Sequence, residues 1–276
     1  MPRTTTFAIS IDKWDYRETS QIVRFLTEGA GVVAALARGA FREKNSYQGP
    51  IDLLVYSRVT ITRGDRETGL DLLTRCEVLT HFPEVRHDLR RYRAAMHLLR
   101  VVRETVREGQ HLAGLFPLFR AALVALNDRP AAELAPIVFA FEWRLLRILG
   151  IGPCLTPCAA CGTPMRPIPG ASKGSPARGK CAGAEVFLSP ADGGLVCLTC
   201  APGRRAVLPV SSAGHRALRR LERATATEMA REPSLRSAFP ELRRLLDAYF
   251  TYHLERPFEA AAWLDEIVSP GGRPAS

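Results

Sequence analysis

The sequence predicts an α+β fold, in which a five-stranded barrel precedes a helical domain that carries an inserted four-cysteine module. Three observations favour it: short alternating segments between turn signals come first, helical periodicity follows, and two CxxC pairs then flank a segment rich in glycine and proline. The predicted regions are 1–82 for the barrel, 83–268 for the helical domain with its cysteine module at about 154–203, and 269–276 for a disordered tail.

The barrel prediction depends on five strand-like segments separated by turns that contain glycine, proline or aspartate. These segments cover residues 5–11, 21–27, 31–37, 51–62 and 70–82. Five is the strand number of an OB-fold, a small closed barrel. Strand number alone also fits a sandwich or an SH3-like barrel.

The helical domain is predicted from apolar residues that recur every three or four positions. The first stripe consists of Leu89, Tyr92, Met96, Leu99, Val102 and Val106. Two further stripes begin at Leu112 and Leu134. The last two helices are predicted from Ser211 to about Arg231 and from about Pro240 to Leu254, with Ser211 or Ser212 as the N-cap of the first.

The chain is basic, with 38 lysines and arginines against 28 acidic residues and a formal net charge of +10. Such a surplus predicts attraction to polyanions. The sequence has no stretch apolar enough to span a membrane, and its first ten residues lack the apolar region of a signal peptide. A cytoplasmic protein that does not enter membranes is therefore expected.

Two CxxC pairs form the most specific motif, Cys158–Cys161 and Cys197–Cys200. Each pair can bind one metal through two thiolates, and two pairs provide the tetrahedral four-sulfur shell of a structural zinc. We therefore expect one structural Zn²⁺ on these four cysteines. Cys154 or Cys181 could replace one of them, although neither belongs to a CxxC pair.

Other interpretations of the cysteines are less favoured. Disulfides do not suit a cytoplasmic protein, and a redox role would not require two CxxC pairs. Cys76 lies in a predicted strand and is expected to be a buried thiol. The 163–190 insertion between the pairs, rich in glycine, proline, serine and lysine at its centre, has no assigned role.

No motif for catalysis is supported, so we expect a protein that is not an enzyme. A closed four-cysteine site leaves no metal position open for substrate. The segment Gly170–Gly174 fits GxSxG, but it lacks the preceding strand and following helix that this chemistry needs. A metal-dependent enzyme remains an alternative that a metal-bound water would support.

Basic residues at two places suggest contact with nucleic acid. Arg38, Arg42 and Lys44 follow the third strand beside Phe41 and Tyr47, a mixture of cations and aromatic rings that is typical of single-strand binding. A second set lies on one side of the first predicted helix. It consists of Arg86, Arg90, Arg93, His97, Arg100 and Arg107.

The order of segments resembles the RecO family of bacterial DNA repair and recombination mediators over nearly the whole chain. The segments that carry the resemblance are FLTEGAGVVAALARGAFREKNS, CEVLTHFPEVRHDLRRYRAAMHLL, FEWRLLRILGIGPCLTPCAACG and GGLVCLTC. The helix-to-knuckle junction from Phe141 to Gly162 is the most specific of them. The insertion between the cysteine pairs is long for this family, and some members lack the metal motif.

The resemblance implies an N-terminal OB-fold and a helical domain with a zinc module. It implies binding to single- and double-stranded DNA, annealing of complementary strands, and loading of RecA onto SSB-coated DNA together with RecR. It also implies contact with the acidic C-terminal tail of SSB, and action at the nucleoid. Arg38 and Arg42 would contact DNA, with Lys44 and Arg24 in support; a zinc-ribbon factor for RNA binding or transcription is the alternative.

Overall fold

The computed structural model describes residues 3–47, 49–64, 70–165, 184–221 and 233–255. The chain divides into two compact units, Met1–Ala131 and Ala132–Ser276. The first unit contains the barrel and three helices, and the second contains the four cysteines. The predicted tail at 269–276 and the centre of the predicted insertion lie outside the described residues.

Five strands form a closed barrel in the order β1-β2-β3-β5-β4, as the sequence predicts for an OB-fold. Their bounds are β1 Arg3–Tyr16, β2 Ser20–Thr27, β3 Gly31–Ala37, β4 Tyr56–Thr62 and β5 Asp71–Thr80. β3 and β5 pair in parallel, while the other neighbours, including β4 with β1, are antiparallel. Alternate side chains point inward, because successive residues of a strand face opposite sides. The interior includes Ala8, Val23, Phe25, Ala35, Val59, Ile61 and Leu73.

The fourth strand begins at Tyr56, so the predicted start at Ile51 is wrong. Ile51 is buried in a loop. The side-chain amide of Gln21 accepts from the N–H of Ile51 at 3.0 Å and donates to its carbonyl at 3.1 Å. Ser10 Oγ donates to the carbonyl of Asp52 at 2.6 Å. Side chains of Gln21 and Ser10 therefore make the hydrogen bonds that a neighbouring strand would otherwise make with this backbone. Most of the apolar residues from Ile51 onward are buried, which is why their sequence resembles that of a strand.

The first predicted helix is two helices, α1 Pro83–His87 and α2 Leu89–Thr105, and α3 Leu115–Asp128 follows. Asp88 separates α1 from α2, since its carboxylate accepts from the N–H groups of Arg90 at 2.8 Å and Arg91 at 3.2 Å. The predicted apolar stripe is wrong at its start, because Leu89 and Tyr92 are exposed. The buried face of α2 is Ala94, Ala95, His97, Leu98, Leu99, Val101 and Val102.

The second unit begins with α4 Leu134–Ile148 and contains a small sheet in the order β7-β6-β8. The strands are β6 Ala184–Ser189, β7 Gly194–Cys197 and β8 Leu208–Ser211, and the helices α5 Ser212–Leu221 and α6 Pro233–Leu254 follow. Ser211 caps α5 as predicted, since its Oγ accepts from the N–H of Gly214 at 2.9 Å. α6 starts before its predicted first residue, and Pro240 lies inside it.

A buried ion cluster joins α4 to α6. Arg243 contacts the carboxylates of Glu142 and Asp247, and Glu142 is fully buried. Burial alone would lower the pKa of Arg243, but the two carboxylates outweigh it and raise that pKa above its usual value. The guanidinium therefore stays charged inside the core of this unit.

Within the described ranges, none of the helices combines the length and apolar character needed to cross a bilayer.

Candidate metal centre and nucleic-acid interface

The first CxxC pair lies in a tight knuckle after α4. The N–H of Gly162 donates to the carbonyl of Cys158 at 2.9 Å, and the N–H of Cys158 donates to the carbonyl of Thr163 at 2.9 Å. Gly162 has φ of +73°, in the left-handed region that closes such a turn and that glycine adopts without strain. The turn therefore holds Cys158 and Cys161 on one side.

The second pair begins where β7 ends and forms a matching knuckle. The N–H groups of Cys200 and Ala201 both donate to the carbonyl of Cys197, at 3.0 and 3.1 Å. The two knuckles are bonded together, because the N–H of Ala159 donates to the carbonyl of Leu195 at 2.8 Å. The N–H of Cys197 also donates to the sulfur of Cys158 at 3.3 Å.

The four sulfurs of Cys158, Cys161, Cys197 and Cys200 all lie within 4.8 Å of one another, and those of Cys161 and Cys197 are 3.9 Å apart. A tetrahedral site with metal–sulfur bonds of about 2.3 Å needs sulfurs about 3.8 Å apart. The cluster therefore fits one tetrahedral metal ion.

Hydrogen bonds lower the pKa of two of the four cysteines, Cys161 and Cys158. The hydroxyl and backbone of Thr163 lower the pKa of Cys161 to about 6. Burial opposes ionisation of Cys158, but backbone N–H groups, the first of them from Cys197, lower its pKa below the usual value. These donors favour the thiolate form that binds metal at Cys158 and Cys161, whereas the neighbouring sulfurs of Cys197 and Cys161 raise the pKa of Cys200 to about 12.

Cys154 lies outside the four-sulfur cluster and has a positioning role through its backbone. Its N–H donates to the carbonyl of Gly193 at 2.8 Å, and its carbonyl accepts from Leu195 at 2.8 Å. A Cβ on Gly194 would lie 2.3 Å from that carbonyl oxygen, so only glycine fits there. Cys76 is buried as predicted, and Cys181 lies outside the described residues.

The basic loop after β3 is ordered by its own backbone bonds. Gly39, at φ of +68°, accepts from the N–H of Arg42 at 3.0 Å, and the N–H of Phe41 donates to Thr19 of the β1–β2 turn at 3.1 Å. The Asn45 amide bonds to the carbonyls of Ala40 and Arg42 at 3.2 and 2.8 Å. This loop, residues 38–44, is called the basic loop below.

The basic loop exposes the side chains of Arg38, Arg42 and Lys44, and Phe41 is 42% exposed. Tyr47 does not join them, contrary to the prediction that it could stack on a base. It is buried, and its hydroxyl donates to the carbonyl of Leu73 at 2.7 Å. Burial raises the pKa of Tyr47, which keeps that hydroxyl a donor.

Arg24 lies apart from the basic loop, on β2. Its guanidinium is 3.8 Å from the Asp12 carboxylate, which also binds Arg103 at 2.9 Å. The Arg24 side chain is 20% exposed. Arg24 therefore shares an acidic partner, Asp12, with Arg103.

The basic residues predicted on one side of the first helix have different environments in the structure. Arg86 holds the 51–55 loop, because it binds Asp52 at 2.9 Å and donates to the carbonyls of His81 and Leu53 at 2.8 and 2.7 Å. His97 is buried. Arg90, with Asp88 3.6 Å away, and Arg93 are exposed.

Two arginines that no sequence motif indicates stack on aromatic rings of the barrel: Arg58 lies over Phe7 and Arg120 lies over Tyr56. Their signal in the sequence is faint. Tyr56, Arg58 and Thr60 alternate along β4, but Phe7 is about fifty residues away and meets them only through strand pairing.

Two sequence-family models match the chain: the one described as Recombination protein O N terminal matches residues 1–82, and the one described as Recombination protein O C terminal matches 86–261. The chain is 32% identical over 269 residues to the DNA repair protein RecO of Anaeromyxobacter dehalogenans strain 2CP-C, covering 97% of this chain and 98% of that protein. It is also 31% identical to the RecO of Roseiflexus sp. strain RS-1, covering 95% and 85%, and 28% identical to that of Moorella thermoacetica, covering 92% and 87%.

Proposed function

The chain belongs to the RecO family of DNA repair proteins, and from that premise we propose that it anneals complementary single strands of DNA. We propose further that, with RecR, it helps to load RecA onto single-stranded DNA coated by SSB. Annealing brings together two polyanions without making or breaking a covalent bond. Charge neutralisation is therefore the main physical requirement, and no catalytic group is needed.

The basic loop is the observation that carries this proposal. Three exposed cations and one exposed aromatic ring lie on a loop that backbone hydrogen bonds hold to the barrel. Guanidinium and ammonium groups bind phosphates regardless of base, and an exposed ring can stack on any base. Arg38 and Arg42 would contact phosphates, while Lys44 and Arg24 support them.

Replacement of both Arg38 and Arg42 by alanine should weaken binding to all single-stranded sequences alike. Each lost phosphate contact reduces the slope of log affinity against log salt by about 0.7, so two should reduce it by roughly 1.4. Fluorescence anisotropy across a salt titration measures both the affinity and the slope. Folding and metal content should not change, because both side chains are exposed.

The matched comparison is Arg90→Ala with Arg93→Ala, which removes two exposed arginines of α2 and tests whether the helix carries the binding instead. Arg86 belongs to the same predicted DNA-binding set, but its replacement would also break three contacts within the fold. If the helix variant loses affinity and slope while the loop variant keeps both, the basic loop is not the DNA site.

The cysteine cluster would hold one structural Zn²⁺ through Cys158, Cys161, Cys197 and Cys200. The sulfur spacing and the four-thiolate donor set both suit zinc. A shell of four cysteines leaves no position for water or substrate, so the metal would stabilise the knuckles and take no part in chemistry.

We propose that the acidic C-terminal tail of SSB binds the helical domain, in which the sequence from 81 to 150 contains eleven arginines and seven acidic residues. Such rim charges make binding sensitive to salt. A labelled tail peptide should bind at low salt and be released as salt rises. A peptide with its acids replaced by amides is the control, and equal binding of both peptides, or of neither, would contradict the proposal.

A further inference from the structure

One outer face of the barrel, formed by β1, β4 and β5, has a composition distinct from the rest of the surface. We call it the arginine face, and it consists of Arg3, Thr5, Phe7, Tyr56, Arg58, Thr60, Arg75, Glu77 and, from α3, Arg120. Strand pairing sets Phe7 opposite Arg58 and Arg58 opposite Glu77. The next outward row sets Thr5 opposite Thr60 and Thr60 opposite Arg75.

These side chains point outward because their neighbours along each strand point inward. Ala8, Val59 and Cys76 belong to the barrel core, and each alternates with a residue of the arginine face. Arg3, Arg58, Arg75 and Glu77 are all exposed. The hydroxyls of Thr5 and Thr60 are 3.0 Å apart at the surface and add further hydrogen-bonding groups.

Two aromatic rings on this face are each covered by an arginine. The guanidinium carbon of Arg58 is 5.4 Å from the centre of the Phe7 ring, and that of Arg120 is 4.9 Å from the centre of the Tyr56 ring. The ring centres of Phe7 and Tyr56 are 5.8 Å apart. A stacked guanidinium is planar and can accept a nucleobase on its other side.

The charge of the arginine face favours an anionic partner. Four arginines lie there with one acidic residue, Glu77. Glu77 is 3.7 Å from Arg58, but both side chains are about half exposed, so the pair is weak and water separates it easily. Planar cations and surface hydroxyls are groups that bind a single-stranded polyanion, and the single exposed acid opposes them only weakly.

The arginine face and the basic loop lie on different strands. The basic loop follows β3, which pairs with β2 and β5, whereas Arg58 lies on β4, which pairs with β1 and β5. β3 and β4 are nowhere neighbours in the barrel order. Arg58 therefore lies on a strand that does not pair with the strand before the basic loop, while β5, which carries Arg75, pairs with both β3 and β4.

We propose that the arginine face binds a second single strand of nucleic acid while the basic loop holds the first. This inference rests on the proposed function and gives it a location for the second strand. The cations of the two surfaces would neutralise part of the charge of each strand. The repulsion between the strands would then be lower when they are brought close together.

The test is a bridging assay with two non-complementary oligothymidine strands, one carrying a donor dye and the other an acceptor dye. Energy transfer then reports strands held together by protein and not by base pairing. Arg58→Ala with Arg75→Ala should reduce bridging roughly tenfold, because two charge-assisted contacts are lost. Binding of one strand alone should stay within about twofold of the wild type, since the basic loop is intact.

Two single variants make the test sharper. Glu77→Gln should increase bridging, because it removes the one acid of the face and releases Arg58. Arg63→Ala removes an exposed arginine at the end of β4 that is not part of the face, and it should leave bridging unchanged.

The assay distinguishes failure of the proposed function from failure of this inference alone. If the wild type binds no strand at all, the proposed function fails as well as this inference. If the wild type bridges two strands and the Arg58/Arg75 variant bridges them equally, only the inference is overturned. If sedimentation without DNA shows that this variant loses a dimer that the wild type forms, the face binds a second copy of the chain and the inference is again overturned.

Discussion

Replacement of Cys158 by serine is expected to abolish metal binding and to unfold the cysteine module at residues 154–165 and 184–203, while the barrel stays folded. Structural zinc sites contribute about 10–16 kcal/mol of binding free energy, and in small modules that energy is folding energy. Cys158 is 1% exposed, and its sulfur accepts the N–H bond from the second knuckle. The barrel belongs to the other compact unit, so we expect it to stay folded in this variant.

Elemental analysis of the purified wild type should give close to one zinc per chain, and the Cys158→Ser variant should give almost none. Hydrogen exchange should become fast in β7 and the two knuckles of the variant. Cys154→Ser is the matched control, because Cys154 lies outside the cluster and acts through its backbone. Wild-type protein without near-stoichiometric zinc would show that the four-sulfur cluster is not a zinc site.

Replacement of Arg243 by methionine is expected to destabilise the second unit by about 3–5 kcal/mol, the usual cost of removing one partner from a buried ion pair. The change leaves the Glu142 carboxylate, which is fully buried, without the guanidinium that neutralises it. Methionine has a similar length, so loss of packing contributes little. The cost is therefore mainly electrostatic.

Denaturant unfolding measures this cost through Trp143, a buried residue one position after Glu142 on α4. Trp14 and Trp263 are replaced by phenylalanine so that Trp143 alone reports the transition. Adding Glu142→Gln to Arg243→Met should recover a large part of the lost stability, because no buried charge then remains on α4. A single Arg243→Met variant within about 1 kcal/mol of the wild type would contradict the role of the cluster.

Features with a local cause were predictable from the sequence. The alternation of residues along the strands predicted the barrel, and the CxxC spacing predicted which four sulfurs would meet. The Ser211 cap was predictable for the same reason, since its hydroxyl bonds to an N–H only three residues away. In each case a few neighbouring residues determine the outcome.

Features that depend on distant residues were not predictable. Leu89 and Tyr92 look like core residues by composition, but the buried face of α2 begins at Ala94 and Ala95, small residues to which a hydrophobic pattern gives little weight. Arg86 looks like a surface cation until its contacts with the 51–55 loop are seen. Tyr47 similarly looks available for stacking, yet its hydroxyl bonds to Leu73 of β5.

The central claim is annealing through the barrel, and the rate of pairing between complementary single strands coated with SSB tests it most directly. We expect the wild type to accelerate pairing well above the rate of SSB-coated strands alone. The variant Arg38→Ala with Arg42→Ala should lose that acceleration and keep its zinc. If the wild type binds the coated strands but pairs them no faster than SSB alone, annealing is not its function.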